Sequence, residues 1–163
     1  MKRKRETGKT PDAYDRALGL LARREHSARE LAAKLARRGV DAAASAAALR
    51  ELKRRDYQSD ARFGEMLVRT RIAAGYGPRW IVAELATHGI GEAQARALLD
   101  AAGPNWAEVA RAQLRRRYGG APPGSRAERA KRATYLAHRG FDAATVQSLL
   151  RAEWLESSAD ELD

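Results

Sequence analysis

The chain of 163 residues contains no cysteine, which excludes disulfides, thiolate metal sites and cysteine nucleophiles. It also lacks any apolar run near the roughly 18 residues that a membrane-spanning helix needs, and its charged start is followed by no apolar stretch. Phosphate-binding loops ending in Gly-Lys-Ser/Thr and Gly-x-Ser-x-Gly nucleophile elbows are absent too. These absences predict a cytoplasmic protein without a membrane partner or catalytic motif.

The histidines do not have the spacing of a metal site. No Glu-x-x-His or His-x-x-x-His pattern joins His26, His88 and His138. The last two precede a glycine at the predicted end of a helix, where the helix dipole favours a cation. Acidic pairs such as Asp12 and Asp15 are explained by helix capping. We therefore predict no metal, no cofactor and no enzymatic activity.

Positive charge, in contrast, is abundant. Lys and Arg number 31 against 21 Asp and Glu, for a net charge of +10, and 25 of these bases are arginine. The planar guanidinium fork suits phosphate and carboxylate groups, so the excess indicates a nucleic acid or an acidic protein face as partner. A codon bias that serves only solubility is the alternative.

The positive charge lies towards the two ends. Residues 1–9 carry +4, residues 10–59 carry +4, residues 60–103 are neutral and residues 104–151 carry +7. We interpret this as a protein that grips its partner at two places. The densest clusters supply the candidate contacts to a partner or to DNA phosphates, and they are Arg23, Arg24, Arg37, Arg38, Arg115, Arg116, Arg117, Arg126, Arg129, Lys131 and Arg132.

Helical spacing places some of these candidates together. Arg126, Arg129 and Arg132 recur every three residues, which predicts a stripe on one helix face. The alternative is a solvated face with pairs such as Glu128 and Arg132.

One pattern, Leu-Ala-x-x-Gly-apolar-Asp/Gly, occurs three times, at residues 35–41, 85–91 and 136–142. Its glycine suits a helix end with positive φ, the next residue can pack back on that helix, and the last is a possible N-cap of the following helix. Each copy thus predicts a helix, a tight turn and a second helix. The glycines are Gly39, Gly89 and Gly140, the apolar residues Val40, Ile90 and Phe141, and the caps Asp41, Gly91 and Asp142.

The helix before each glycine also has a predicted start. Ser27 with Glu30 and Ser125 with Glu128 form capping-box patterns, and Pro78 suits the first position of a helix. A further periodic segment with an aromatic residue near its beginning precedes each of these starts, so each unit has three helices. The helices are predicted near 12–24, 28–38, 42–55, 61–74, 78–88, 92–101, 104–118, 126–139 and 143–155.

The predicted fold is all-α, with three tandem three-helix, helix-turn-helix-like repeats in an elongated, curved array. The third copy has Arg132 where the others have Leu31 and Ile81, so we expect Ala133 and Leu136 to form its inner face. The predicted segments are a basic flexible tail at 1–11, repeats at 12–57, 58–103 and 104–155 with a Gly/Pro elbow at 119–124, and an acidic tail at 156–163.

Four motifs carry a family resemblance across residues 12–152. They are Arg24-Glu25-His26-Ser27-x-x-Glu30-Leu31-x-x-Lys34-Leu35-x-x-x-Gly39, Asp60-x-Arg62-Phe63, Tyr76-Gly77-Pro78-x-x-Ile81-x-x-Glu84-Leu85-x-x-x-Gly89-Ile90, and Arg139-Gly140-Phe141. In this order and spacing they resemble the signature of the RecX family, regulators of the RecA recombinase. The segment 54–59 is more basic than that family's usual linker, and Arg132 is also atypical.

The resemblance implies a modulator that binds along the groove of the RecA filament on single-stranded DNA. It further implies that filament growth, strand exchange, ATP hydrolysis and repressor cleavage are blocked. We expect a monomer that binds the filament and, through its arginines, nearby single-stranded DNA phosphates.

Two other functions fit the repeats less well. A helix-turn-helix transcription regulator would have the same helical pattern, but its reading helices would begin at Ala42, Glu92 and Ala143, which offer few base-reading side chains. A passive helical scaffold would need no basic excess.

Overall fold

The computed structural model describes residues 12–160, and the side chains of residues 12–155. This part of the chain is all-α, as predicted, with short turns between its helices. The helices are α1 (Ala13–Leu21), α2 (Ala28–Arg37), α3 (Ala42–Arg54), α4 (Asp60–Ala73), α5 (Pro78–Thr87), α6 (Glu92–Ala102), α7 (Trp106–Tyr118), α8 (Arg126–His138) and α9 (Ala143–Asp160).

The three repeat glycines end their helices as the pattern predicts. Gly39, Gly89 and Gly140 have φ of +77°, +78° and +92°, a region that L side chains disfavour. The N–H of the following apolar residue donates to the carbonyl five residues earlier in each turn, which satisfies a helix-end carbonyl. Ile90 and Phe141 are fully buried beside their turns, while Val40 is half-buried.

Capping residues also start the helices where expected. Asp41 Oδ1 accepts a hydrogen bond from Ala44 N at 2.9 Å, and Asp142 Oδ1 accepts one from Thr145 N at 2.7 Å. Ser27 Oγ accepts from Glu30 N at 3.0 Å, and Pro78 lies at the start of α5. These contacts satisfy N–H groups that have no partner inside the helix.

The capping box predicted at Ser125 and Glu128 is only half formed. Ser125 Oγ accepts from Glu128 N at 3.1 Å, as expected. The Glu128 carboxylate, however, accepts from Gly124 N at 3.0 Å and from the Arg132 guanidinium, and not from the backbone of Ser125. Oε1 bonds to the guanidinium and Oε2 to the amide of Gly124, so both carboxylate oxygens already have a partner.

Two helix ends differ from the prediction. Helix α1 ends at Leu21 instead of near residue 24, and residues 22–24 form a turn. Helix α9 continues to Asp160, so the start of the predicted acidic tail at 156–163 is helical. The rest of that tail, residues 161–163, and the predicted basic tail at 1–11 lie outside the described residues.

The chain divides between Phe63 and Gly64 into two compact units. In the first unit, α1 and α2 both pack on α3. Their shared core consists almost wholly of leucine, with one fully buried alanine that lets the helices approach closely. Its members are Ala17, Leu20, Leu31, Leu35 and Leu52.

The second unit contains two further helix groups. In the first group, α5 packs on α6 with Ile81 and Leu85 fully buried. A Cβ atom on Gly64 of α4 would lie 2.6 Å from Cδ1 of Leu98 of α6, so the leucine would have to move to admit it. In the second group, α7 and α8 pack on α9 around the larger Phe141, whose ring lies edge-on to Trp106 at 6.4 Å. Together with the first unit, these give the three predicted helix groups.

No helix among residues 12–160 has the length and apolar character that crossing a bilayer requires.

Candidate functional site

Many of the arginines are paired with acidic side chains of the same chain. Such a guanidinium already has a carboxylate partner, so it is less available to phosphate or to a partner protein. The pairs with N–O distances of 2.5–2.9 Å are Arg24 with Glu30, Arg54 and Arg55 with Glu51, Arg62 with Glu25 and Asp56, Arg71 with Glu84, Arg96 with Glu92, and Arg132 with Glu128; Arg111 also pairs with Glu108.

These pairs are strong enough to shift the pKa values of the acidic side chains. The guanidinium groups of Arg54 and Arg55 lower the pKa of Glu51 to about 2. The hydrogen bonds from Arg71 lower the pKa of Glu84, although its partial burial opposes this shift. These carboxylates therefore stay ionised and keep their arginine partners at any physiological pH.

Most of the predicted contact residues lie at the surface without an acidic partner. Within residues 12–155, seven of them are exposed and make no ion pair: Arg23, Arg37, Arg38, Arg115, Arg116, Arg126 and Lys131. Arg117 is also exposed, and its guanidinium lies over the ring of Tyr118 at 5.9 Å. Arg24 is exposed but paired with Glu30, and Arg129 is half-buried over the Trp154 ring at 5.6 Å.

Arg132 is the exception, because it is buried. Its side chain is 3% exposed, at the position where the other two domains have Leu31 and Ile81. Its guanidinium donates to Glu128 Oε1 at 2.8 Å and to the carbonyl of Ala121 in the Gly/Pro elbow at 3.0 Å. The prediction that Arg132 belongs to a surface stripe is therefore wrong.

The structure suggests why this charge is buried. Besides its two hydrogen bonds, the Arg132 guanidinium lies 5.1 Å from the Tyr118 ring centroid and 4.0 Å from the Glu153 carboxylate. A buried charge is tolerated only with such partners. Since the guanidinium donates to Ala121 O in the elbow at 119–124, which occurs only in the third copy, Arg132 holds that insertion against α8.

Arg126 and Arg129 of the predicted stripe share a surface with a residue that the sequence analysis missed. Both line a groove between α8 and α9, and Arg151 of α9 lies on the same groove. Arg151 is exposed and makes no ion pair among the described residues. It was missed because it stands alone in the sequence and not in a cluster.

Two of the quoted motifs meet in the first unit. Gln58 and Asp60, just before and at the start of α4, contact the turn at His26 and Ser27. The Asp60 carboxylate accepts from Ala28 N at 2.9 Å, and Gln58 Nε2 donates to the carbonyl of His26 at 3.3 Å. Asp60 thus caps α2 from a distance of 32 residues in the sequence.

Arg62 completes this contact. Its guanidinium bonds to Glu25 Oε1 at 2.8 Å, to Asp56 Oδ1 at 2.9 Å and to the carbonyl of Asp56 at 2.7 Å. Asp56 has φ of +60°, which aspartate tolerates better than most residues. Arg62 therefore stabilises the turn between α3 and α4, and it is not a free surface charge.

His26 is buried between the same elements as a neutral ring. Desolvation lowers its pKa, against the opposing effects of its hydrogen bond with Arg24 O and of the Glu30 charge. Its Nδ1 lies 2.9 Å from that carbonyl and its Nε2 lies 3.4 Å from Lys34 Nζ. The ring thus donates at Nδ1 and accepts at Nε2, which is a structural role. Among the described residues, no three His, Asp or Glu side chains form a possible metal site.

The other two motifs meet in the second unit, where the α4–α5 turn contacts the α8–α9 turn. Gly77 N donates to Arg139 O at 2.7 Å and Arg79 N donates to Gly140 O at 3.0 Å. A Cβ atom on Gly77 would lie 2.4 Å from the backbone of Gly140, and one on Gly140 would lie 2.5 Å from the backbone of Trp80. The two turns are therefore in direct backbone contact.

The Arg139 side chain reinforces this junction. It donates to Gly75 O at 3.0 Å and to Ala74 O at 2.6 Å, which are carbonyls at the end of α4. Its guanidinium also lies 4.1 Å from the centroid of the Tyr76 ring, which stacks on Trp80 at 5.0 Å. The motifs Tyr76-Gly77-Pro78 and Arg139-Gly140-Phe141 thus join the second and third helix groups.

Comparison with known proteins identifies the three helix groups. Models of the first, second and third three-helix domains of RecX match residues 13–52, 59–99 and 107–150. The regulatory protein RecX of Stenotrophomonas maltophilia (strain K279a) is 44% identical over 150 residues, which cover 92% of this chain and 91% of that protein. The chain belongs to the RecX family. RecX of Xanthomonas axonopodis pv. citri (strain 306) is 44% identical over 83% of this chain and 84% of its own.

Solved RecX structures share the fold. A crystal structure of regulatory protein RecX has a TM-score of 0.71 and 26% identity, and covers 84% of this chain and 69% of that one. RecX from Lactobacillus salivarius has a TM-score of 0.72 and 22% identity, and covers 88% and 95%. As a RecX protein, this chain is a non-enzymatic regulatory protein that acts on RecA.

Proposed function

We propose that this RecX protein is an inhibitor that binds the RecA filament on single-stranded DNA and blocks its extension. ATP hydrolysis, strand exchange and coprotease action then fall together, because all three need the extended filament. We further propose that the protein acts in the cytoplasm as a monomer. It rests on family membership and on the basic surface of the third domain.

The observation that supports the proposal best is the set of bases without an acidic partner at the end of α7. Arg115 and Arg116 are exposed in its last turn, where the negative end of the helix dipole favours cations. Neither makes an ion pair within the described residues. They are therefore free to bind phosphate or carboxylate groups of a filament on single-stranded DNA.

A transcription regulator is a weaker alternative. Its reading helix in the second domain would be α6, where the exposed Arg96 is already paired with Glu92 at 2.6 Å. The first turn of α3 is formed by three alanines, Ala42, Ala43 and Ala44. Few side chains of these two helices suit bidentate contacts to base edges: exposed Gln94 on α6 and exposed Arg50 on α3.

Charge reversal at the end of α7 tests the proposal. We expect the double variant Arg115→Glu, Arg116→Glu to bind the RecA filament on single-stranded DNA about tenfold more weakly, since it turns attraction into repulsion. Filament binding is measured by fluorescence anisotropy of the labelled protein. The matched control is Arg69→Glu, Arg79→Glu in the second domain, which changes the same charge at exposed arginines that make no ion pair among the described residues.

A second control removes a buried charge. Arg132→Leu restores the apolar residue of the other two domains, and we expect it to leave filament binding within about twofold of the wild type.

Equal weakening by both double variants would contradict a specific role of the α7 end. It would leave only the net charge of the protein as the source of affinity.

A further inference from the structure

A groove with a volume of about 900 Å³ lies between α8 and α9 of the third domain. Its floor includes Ala130 and Ala133 of α8 and Val146 and Leu150 of α9. Val146 and Leu150 belong to the core of this domain. Val146 and Leu150 are only 5% and 3% exposed, so the apolar surface offered to a ligand comes from the exposed Ala130, Ala144 and Leu155 beside them.

The rim of the same groove carries positive charge only. Arg126, Arg129 and Arg151 line it, and none of its lining residues is acidic. None of the three arginines makes an ion pair among the described residues, although Arg129 lies over the Trp154 ring at 5.6 Å. Leu155, 55% exposed, extends the apolar surface at one end.

We propose that this groove binds an acidic, amphipathic helix of a partner protein. Such a helix buries its apolar face against the floor, as helix-binding grooves generally do, and its carboxylates pair with the arginines on the rim. Charge complementarity selects an acidic ligand, and the apolar side chains between the arginines select a polypeptide with an apolar face.

A single strand of DNA fits this groove less well. Grooves that bind single strands usually supply aromatic rings on which successive bases stack. The lining of this groove contains no aromatic side chain, and the neighbouring Trp154, which is 49% exposed, has the Arg129 guanidinium 5.6 Å from its ring centroid. The groove is also separate in function from the α7 end, which presents charge alone.

A synthetic peptide probes the groove directly. The probe is a fluorescein-labelled helix of about 18 residues, or five turns, with leucine at positions i, i+3, i+4 and i+7 and glutamate on the other face. Its control has the same composition in scrambled order and hence no apolar face. Binding to the full-length chain is followed by fluorescence anisotropy.

Matched variants separate the floor from the rim. Ala130→Trp fills the groove from an exposed position of α8, and Ala112→Trp places the same side chain at an exposed position of α7 outside it. Arg126→Glu with Arg151→Glu reverses the rim, and Arg69→Glu with Arg79→Glu reverses an equal charge at exposed arginines outside the groove. Circular dichroism melting verifies that each variant is folded.

We expect both groove variants to weaken binding of the amphipathic peptide by at least about tenfold and both controls by less than about twofold. The scrambled peptide should bind at least about tenfold more weakly than the amphipathic one. Equal losses in the groove and control variants, or equal binding of the two peptides, would overturn the proposal in favour of general electrostatic attraction. If a single-stranded oligonucleotide displaced the peptide and also lost affinity in Ala130→Trp, the groove would be a nucleic-acid site instead.

Discussion

Replacement of Gly140 by alanine is expected to destabilise the second unit by about 2–5 kcal/mol, whereas the same change at Gly89 should cost about 1–2 kcal/mol. Both residues have positive φ, so both variants carry the backbone strain of a left-handed residue. Only at Gly140 does the added Cβ also meet another backbone, 2.5 Å from Trp80 N. At Gly89 no atom lies within 4 Å of that Cβ position.

Chemical denaturation measures this difference. All three tryptophans, Trp80, Trp106 and Trp154, lie in the second unit, so their fluorescence reports its unfolding. Gly89→Val, with a β-branched side chain that fits poorly at positive φ, should lower the midpoint further than Gly89→Ala. Equal free energies for Gly140→Ala and Gly89→Ala would show that the contact of the two turns does not constrain Gly140.

Loss of the Arg139 side chain is expected to destabilise the same unit by about 2–4 kcal/mol. Arg139→Gln removes the charged hydrogen bonds to Ala74 O and Gly75 O, and with them the cation–π contact with Tyr76. Arg139→Lys keeps the charge but cannot reproduce the planar fork that bridges two carbonyls, so most of the loss should remain.

Denaturation followed by tryptophan fluorescence again gives the free energy. The matched control is Arg79→Gln, a nearby exposed arginine that makes no ion pair among the described residues. The free energy of unfolding of Arg79→Gln should stay within about 0.5 kcal/mol of the wild-type value. If Arg139→Lys were as stable as the wild type, charge alone and not the bridging geometry would hold the two turns together.

The helix-turn-helix repeats were predictable because their determinants are local. A glycine at a helix end, the apolar residue after it and the capping aspartate act within seven residues of one another, so one copy of the pattern predicts its own geometry. Asp41 and Asp142 cap the helices that the pattern assigns to them. Repetition at spacings of 50 and 51 residues added the architecture.

The contacts between motifs were not predictable in the same way. Arg139 bonds to carbonyls that lie 64 and 65 residues earlier, and a local pattern cannot reveal such a partner. The motif around it was recognisable, but its glycine was explained by the helix end alone. In the structure Gly140 has a second requirement, the close approach of Trp80, which Gly39 and Gly89 lack.

The number and clustering of the charges were predictable, but the partners that each charge contacts were not. The sequence places bases in clusters, yet only the fold shows which of them already have a carboxylate partner. Arg24 and Arg62 are paired within the first unit, while Arg132 lies in the interior. Arg115 and Arg116 remain free, and Arg151 joins the groove from a helix that showed no basic cluster. A spacing of three residues could not distinguish the inside of α8 from its outside.

The most direct measurement of the proposed function is the DNA-dependent ATPase of RecA in the presence of the purified chain. We predict that hydrolysis falls when the RecX protein is substoichiometric to RecA, because a bound inhibitor that blocks filament extension affects many RecA subunits. Unchanged hydrolysis at equimolar protein would contradict the proposal that this chain inhibits the RecA filament.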